Sequence, residues 1–100
     1  MTGPNPNKLL DEDAIIFSYH ARGRMFEKGV STEDVISLLR EGDVIEEYAD
    51  DEPCPSFLLY GILNTIPYHL VVARCTDHLR VITVYIPDPD KWVNNRERRR

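Results

Sequence analysis

Residues 56–86 run SFLLYGILNTIPYHLVVARCTDHLRVITVYI, and how this stretch is read decides the fold. Segments 56–63, 67–74 and 79–86 are rich in Val, Ile, Leu and Tyr, side chains that fit a pleated, half-buried surface. The connections NTIP and CTDH are too short for a crossover, which predicts antiparallel neighbours. Just upstream, DVIEEY (43–48) alternates Val44, Glu46 and Tyr48 with Ile45 and Glu47, the period of a strand. DDEPCPS, with two prolines, breaks the chain between it and residue 56. A four-stranded antiparallel meander over 43–86 is therefore expected.

Before residue 43 the period lengthens. Phe17, Ala21 and Met25 form an i, i+4, i+8 apolar row that predicts a helix over 11–28, stopped by Gly29. Ser31 suits an N-cap, and Val30 and Val35 can close as a hydrophobic staple. Val35, Leu38 and Leu39 then carry the stripe of a second helix to Gly42. So short a connection predicts an αα-hairpin. After the strands, in PDPDKW (87–92), Asp88 can N-cap and Pro89 can take the first helical position, with Trp92 packing back on the sheet. The expected fold class is α+β: an N-terminal helical hairpin packed on one face of a four-stranded antiparallel β-sheet, ended by a short C-terminal helix or turn. Residues 1–10 are expected to be a flexible leader, 11–93 a single domain and 94–100 a basic disordered tail.

The formal charge is −5, unevenly spread. The tail Arg96-Glu97-Arg98-Arg99-Arg100 is basic; without it the chain holds 8 basic and 16 acidic side chains. Glu41 to Glu52 hold seven acids and no base, whereas His20 to Lys28 hold three bases and one acid. Such a balance argues against broad coating of nucleic acid but leaves room for a small cationic pocket holding one or two phosphates. No apolar run reaches the roughly 18 residues of a membrane span, and MTGPNPNKLLDED has no export-signal pattern. Cys54 and Cys75 are accordingly expected to be reduced thiols of a cytoplasmic protein.

Chemistry concentrates in a few places. His20 and Arg24, one helical turn apart, can reach a common ligand: an imidazole that exchanges a proton near neutral pH and a guanidinium that grips phosphate oxygens. The same residues also fit a plain surface, with Arg24 paired to Glu27 and His20 edging the core. His69, in mid-strand, is ordinarily a core histidine with one hydrogen bond. Tyr85 ends the last strand beside a rigid PDP loop, where site residues often lie. Cys54, His69, Cys75 and His78 lack the compact spacing of a zinc site, and the glycines are too scattered for a phosphate loop, so neither metal nor cofactor is expected.

The segments HARGRMFEKGVS, VIEEYADDEPCPSFLLYG, PYHLVVA and VITVYIPDPDKW resemble the bacterial family catalogued as domain of unknown function 4258. The motif positions fall on His20, Ala21, Arg24, Met25, Pro55, Ser56, His69, Thr83, Val84, Tyr85, Pro87, Asp88, Pro89 and Trp92. The resemblance implies distant similarity to RelE-like toxins, a RelE/barnase-like fold and metal-independent endoribonuclease activity in a toxin–antitoxin setting. His20, Arg24, His69 and Tyr85 would be catalytic, and Arg22, Ser56 and Lys28 would bind substrate. RNA or ribosome-bound mRNA and a cognate antitoxin are the implied partners of a monomer or small homo-oligomer. RelE-like toxins are usually strongly basic and begin with a strand, whereas this chain is acidic and is expected to begin with a helix. A non-catalytic protein-binding module is the alternative.

Overall fold

A computed structural model describes residues 14–99; the expected leader at 1–10 lies outside the described residues. The order of elements is β1 (Ile15–Phe17), α1 (Tyr19–Lys28), α2 (Thr32–Glu41), β2 (Asp43–Tyr48), β3 (Ser56–Leu63), β4 (Ile66–Arg74), β5 (Leu79–Tyr85), β6 (Trp92–Val93) and β7 (Glu97–Arg98). Five strands form one mixed sheet in the order β1-β5-β4-β3-β2, and β6 and β7 form a separate two-stranded sheet.

This corrects the expected four-stranded antiparallel sheet with an N-terminal helical hairpin. The meander β2-β3-β4-β5 forms as its turn chemistry requires, but β1 joins its far edge parallel to β5, pairing Ile15 with Leu79 and Phe17 with Val81. The helix expected over 11–28 therefore begins only at Tyr19. Ile-Ile-Phe is as apolar as a helix stripe, and Phe17 happens to continue the Ala21–Met25 row. Ser18 separates the two elements. Its hydroxyl caps α1 by accepting from the Ala21 amide at 3.0 Å and donates to the Ile82 carbonyl at 2.9 Å, while its amide donates to the Val81 carbonyl.

α1 packs chiefly on β5 and α2 on β3, so the sheet, rather than either helix, holds the other in place. Ser31 and Asp34 complete a reciprocal capping box at the start of α2. Gly29 closes α1 with φ 66°, a left-handed conformation that costs glycine least. Gly42 marks a close approach, since a Cβ there would lie 2.2 Å from Leu59 Cδ2 and 2.6 Å from the Leu38 carbonyl oxygen.

The core lies between helices and sheet. Ala21, Met25, Val35 and Leu38 meet Leu59, Tyr68, Leu70, Val72, Val81 and Val84. Val81 and Val84 share this face although three residues apart, because a bulge near Ile82 inserts one residue into β5. That bulge is where Ser18 docks.

Of the expected C-terminal helix or turn, the structure shows a turn: the Lys91 and Trp92 amides donate to the Asp88 carbonyl, and Trp92 then starts β6. Two further expectations change. The tail expected to be disordered contains β7, with Trp92 opposite Arg98 and Val93 opposite Glu97. Cys54 and Cys75, expected as free thiols, form a disulfide that ties the loop before β3 to the start of the β4–β5 turn. Among the described residues no helix is long and apolar enough to cross a membrane.

Candidate functional site

The structure divides the candidate residues between two faces of the molecule. Successive strand side chains point to opposite sides of a sheet. On β4, Tyr68, Leu70 and Val72 turn to the helices, so His69, Val71 and Ala73 turn away. The register aligns Asp43, Tyr60, His69 and Tyr85 in one row across the helix-free face. The hairpin β6–β7 folds over this row.

His69 is fully buried there. Its ring sits in an aromatic cage, 4.5 Å from Trp92, 5.2 Å from Tyr85 and 6.1 Å from Tyr60, edge-on to each. Its Nε2 lies 2.6 Å from the Asn95 carbonyl oxygen, which can only accept, so Nε2 carries the proton. The Tyr85 hydroxyl then donates to Nδ1 at 3.2 Å. Both nitrogens are satisfied, burial lowers the His69 pKa, and burial raises that of Tyr85. Beside this cage, Arg98 Nε contacts both Glu46 oxygens at 3.1 and 2.9 Å, and its guanidinium lies over Trp92. Tyr48 donates to Glu46 as well. Burial pushes the Glu46 carboxyl up, but the hydrogen bonds from Arg98 and Tyr48 outweigh it and hold the group below its ordinary value. Burial and that same bond raise the Tyr48 phenol. Arg96 pairs with Asp43 and lies over the Tyr60 ring. The arrangement is a clamp: His69, Asp43, Glu46 and Tyr48 fix the C-terminal hairpin to the sheet through Asn95, Arg96 and Arg98.

The other face is α1. Ala21 and Met25 point inward, which turns Tyr19, Gly23 and Phe26 outward at 100° per residue. Tyr19 and Phe26 are 97% and 89% exposed. Tyr19, His20, Gly23, Arg24 and Glu27 line one open hollow of about 320 Å³. Arg24 Nη1 lies 3.2 Å from Glu27 Oε2, on the surface. Gly23 lies within the hollow, and no heavy atom lies within 4 Å of the place its Cβ would occupy. A mid-helix glycine costs about 0.5–1 kcal/mol relative to alanine, and no internal contact requires one here. Arg22 lies over the Phe17 ring at 4.9 Å, and Lys28, in the last turn, is exposed.

His20 and Arg24 are thus brought together, with Arg22 and Lys28 on the same helix, while His69 and Tyr85 are joined to each other on the far side of the sheet. Ser56 belongs to neither set. It is 4% exposed at the start of β3 and donates to Asp51, at the edge of a cleft bounded by the disulfide. The sequence reading missed Glu27 as a member of the hollow and Tyr19 and Phe26 as exposed rings. Their offsets from Ala21 and Met25 carried that signal. It also missed Arg98 as the partner of Glu46 and Tyr48, a contact across 52 and 50 positions that left no local trace.

What the hollow offers chemically is an imidazole, a guanidinium and a carboxylate open to solvent beside the Tyr19 ring. The family model described as "Domain of unknown function (DUF4258)" matches residues 17–86. No curated protein and no solved structure matches the chain.

Proposed function

The chain belongs to the DUF4258 family, and on that premise we propose that it is a toxin-type, metal-independent endoribonuclease whose phosphate site is the hollow on α1. One observation carries this reading: His20, Arg24 and Glu27 share an accessible hollow, with a glycine that no internal contact requires at position 23 between them. The exposed Tyr19 and Phe26 rings beside it are platforms on which unpaired bases stack.

Cleavage of RNA without a metal requires three acts. The 2′-hydroxyl loses its proton to the Glu27 carboxylate, and its oxygen attacks phosphorus. Arg24 stabilises the charge gathering on the non-bridging oxygens. The bond from phosphorus to the 5′-oxygen breaks, and protonated His20 gives that oxygen a proton. The products are a 2′,3′-cyclic phosphate and a 5′-hydroxyl end, with the enzyme's two protons exchanged back through water. A helix surface excludes little water, so this site suits a strand held by a second body, as ribosome-bound mRNA is. On this reading a cognate antitoxin would find a docking surface in the acidic stretch 41–52.

His69 and Tyr85 hold the C-terminal hairpin in this scheme and take no part in the chemistry. Their separation from His20 also favours a second reading, a non-catalytic module that binds RNA or protein through α1. Induced expression separates the two. Growth arrest and RNA loss with the wild type, absent in His20→Ala and Arg24→Ala, supports cleavage. RNA binding without any strand scission leaves the binding module.

A further inference from the structure

On the same side as the start of α1 lies a second concavity, a cleft of about 560 Å³. Ser18 lines it, and the next two residues, Tyr19 and His20, line the α1 hollow, so the two concavities adjoin along the chain. The faces of the cleft are apolar: the Cys54–Cys75 disulfide, Pro53, Ala73 and Ile82. Its polar groups divide by kind. Asp51, fixed by the Ser56 hydroxyl, presents a carboxylate from the loop before β3. His78 and Arg80, from the β4–β5 turn and β5, present an imidazole and a guanidinium from the other strand pair.

We propose that this cleft is a base subsite that selects guanine. The inference rests on the reading of the α1 hollow as an RNA phosphate site. Apolar walls suit the two faces of a planar ring. Among the four bases, guanine alone combines adjacent donors at N1 and N2 with adjacent acceptors at O6 and N7. A carboxylate accepts from the first pair, and a guanidinium donates to the second in a two-pronged contact. Adenine offers the carboxylate one donor beside an acceptor, and cytosine and uracil have no second acceptor edge for Arg80. Ser56 acts as a positioning residue: its hydroxyl fixes one Asp51 oxygen and so aims the other.

The full chain, titrated calorimetrically with the four nucleoside 5′-monophosphates, tests this. GMP is expected to bind at least about tenfold more tightly than AMP, CMP or UMP. Asp51→Asn and Arg80→Ala should erase that preference, and Ser56→Ala should weaken it while leaving the affinity for UMP unchanged. Thermal unfolding of each variant verifies that the fold is retained, and both Asp51 and Arg80 are exposed. Inorganic phosphate serves as the control for binding through the phosphate alone. Equal affinity for all four nucleotides, or selectivity that survives Asp51→Asn, overturns the subsite. The fate of the nuclease reading is measured separately, through RNA scission by the wild type and His20→Ala. Guanine selectivity that persists in His20→Ala while scission is absent from the wild type supports the subsite and removes the nuclease. Scission with no guanine preference keeps the nuclease and removes the subsite.

Discussion

Two places in this molecule use the same chemical alphabet to opposite ends. On α1, His20, Arg24, Glu27 and Tyr19 stand in the open. On the helix-free face, His69, Glu46 and Tyr48 meet the β6–β7 hairpin and its Arg98, with the imidazole sealed and both its nitrogens bonded. Residue type alone does not tell them apart; the burial of the imidazole does. A desolvated imidazole with two fixed partners is a fastening, whereas a solvated one beside a guanidinium and a carboxylate can trade protons with a ligand.

The sharpest way to break this contrast is to remove each ring. His69→Ala leaves the Asn95 carbonyl and the Tyr85 hydroxyl without their partner and opens a void, so a loss of about 3 kcal/mol is expected in denaturant unfolding. His20→Ala, an exposed change, should stay within about 0.5 kcal/mol. Comparable losses for the two would erase the distinction.

Acidity gives the next largest separation. The folded pKa of His69 is lowered from 6.5, so below that value the unfolded chain takes up a proton that the native state resists. Stability is fully present above pH 6.5 and declines as pH falls from there toward the lowered value. A melting temperature lower at pH 5 than at pH 7.5 is the expected sign, and His69→Gln should flatten that part of the profile.

Arg98→Ala tests the ionic half of the clamp. The guanidinium is 61% exposed and its Glu46 partner 22%, so solvent screening limits the loss to about 1 kcal/mol. Its signature is local: faster amide exchange in residues 92–99, with the helix-covered core unchanged. The smallest effect has the opposite sign. Gly23→Ala should stabilise the protein by about 0.5–1 kcal/mol, since the new methyl meets nothing. By partly filling the hollow it should also lower RNA scission, so a gain in stability with undiminished scission would count against the hollow as the site.

How much of this could be read from the chain depends on how far apart the partners lie. Strands β3 to β5 were legible because each pairs with its neighbour through a short turn, and β2 because its apolar and polar residues alternate. The Ser31 and Gly42 boundaries of α2 were local signals of the same sort. β1 was not legible: Ile15-Ile16-Phe17 becomes a strand only because β5 offers an edge, and the Ser18 to Ile82 bond spans 64 positions. The clamp was hidden for the same reason, since Arg96 and Arg98 find Asp43 and Glu46 at separations of 53 and 52. His69 illustrates a half-success: a core histidine was expected, but its aromatic cage and second hydrogen bond come from the returning hairpin. The disulfide was missed because compartment, the basis on which the thiols were judged, says nothing about whether two chain segments approach.

The parallel seam between β1 and β5 has a consequence for synthesis. Residues 15–17 are made early and must wait for residues 79–81 before they have anything to pair with. Ser18, which fixes the start of α1, waits for the same late carbonyls. A nascent chain that ends before β5 therefore carries its cationic helix unmoored, and the face bearing His20 and Arg24 takes its final position only once β5 has been made.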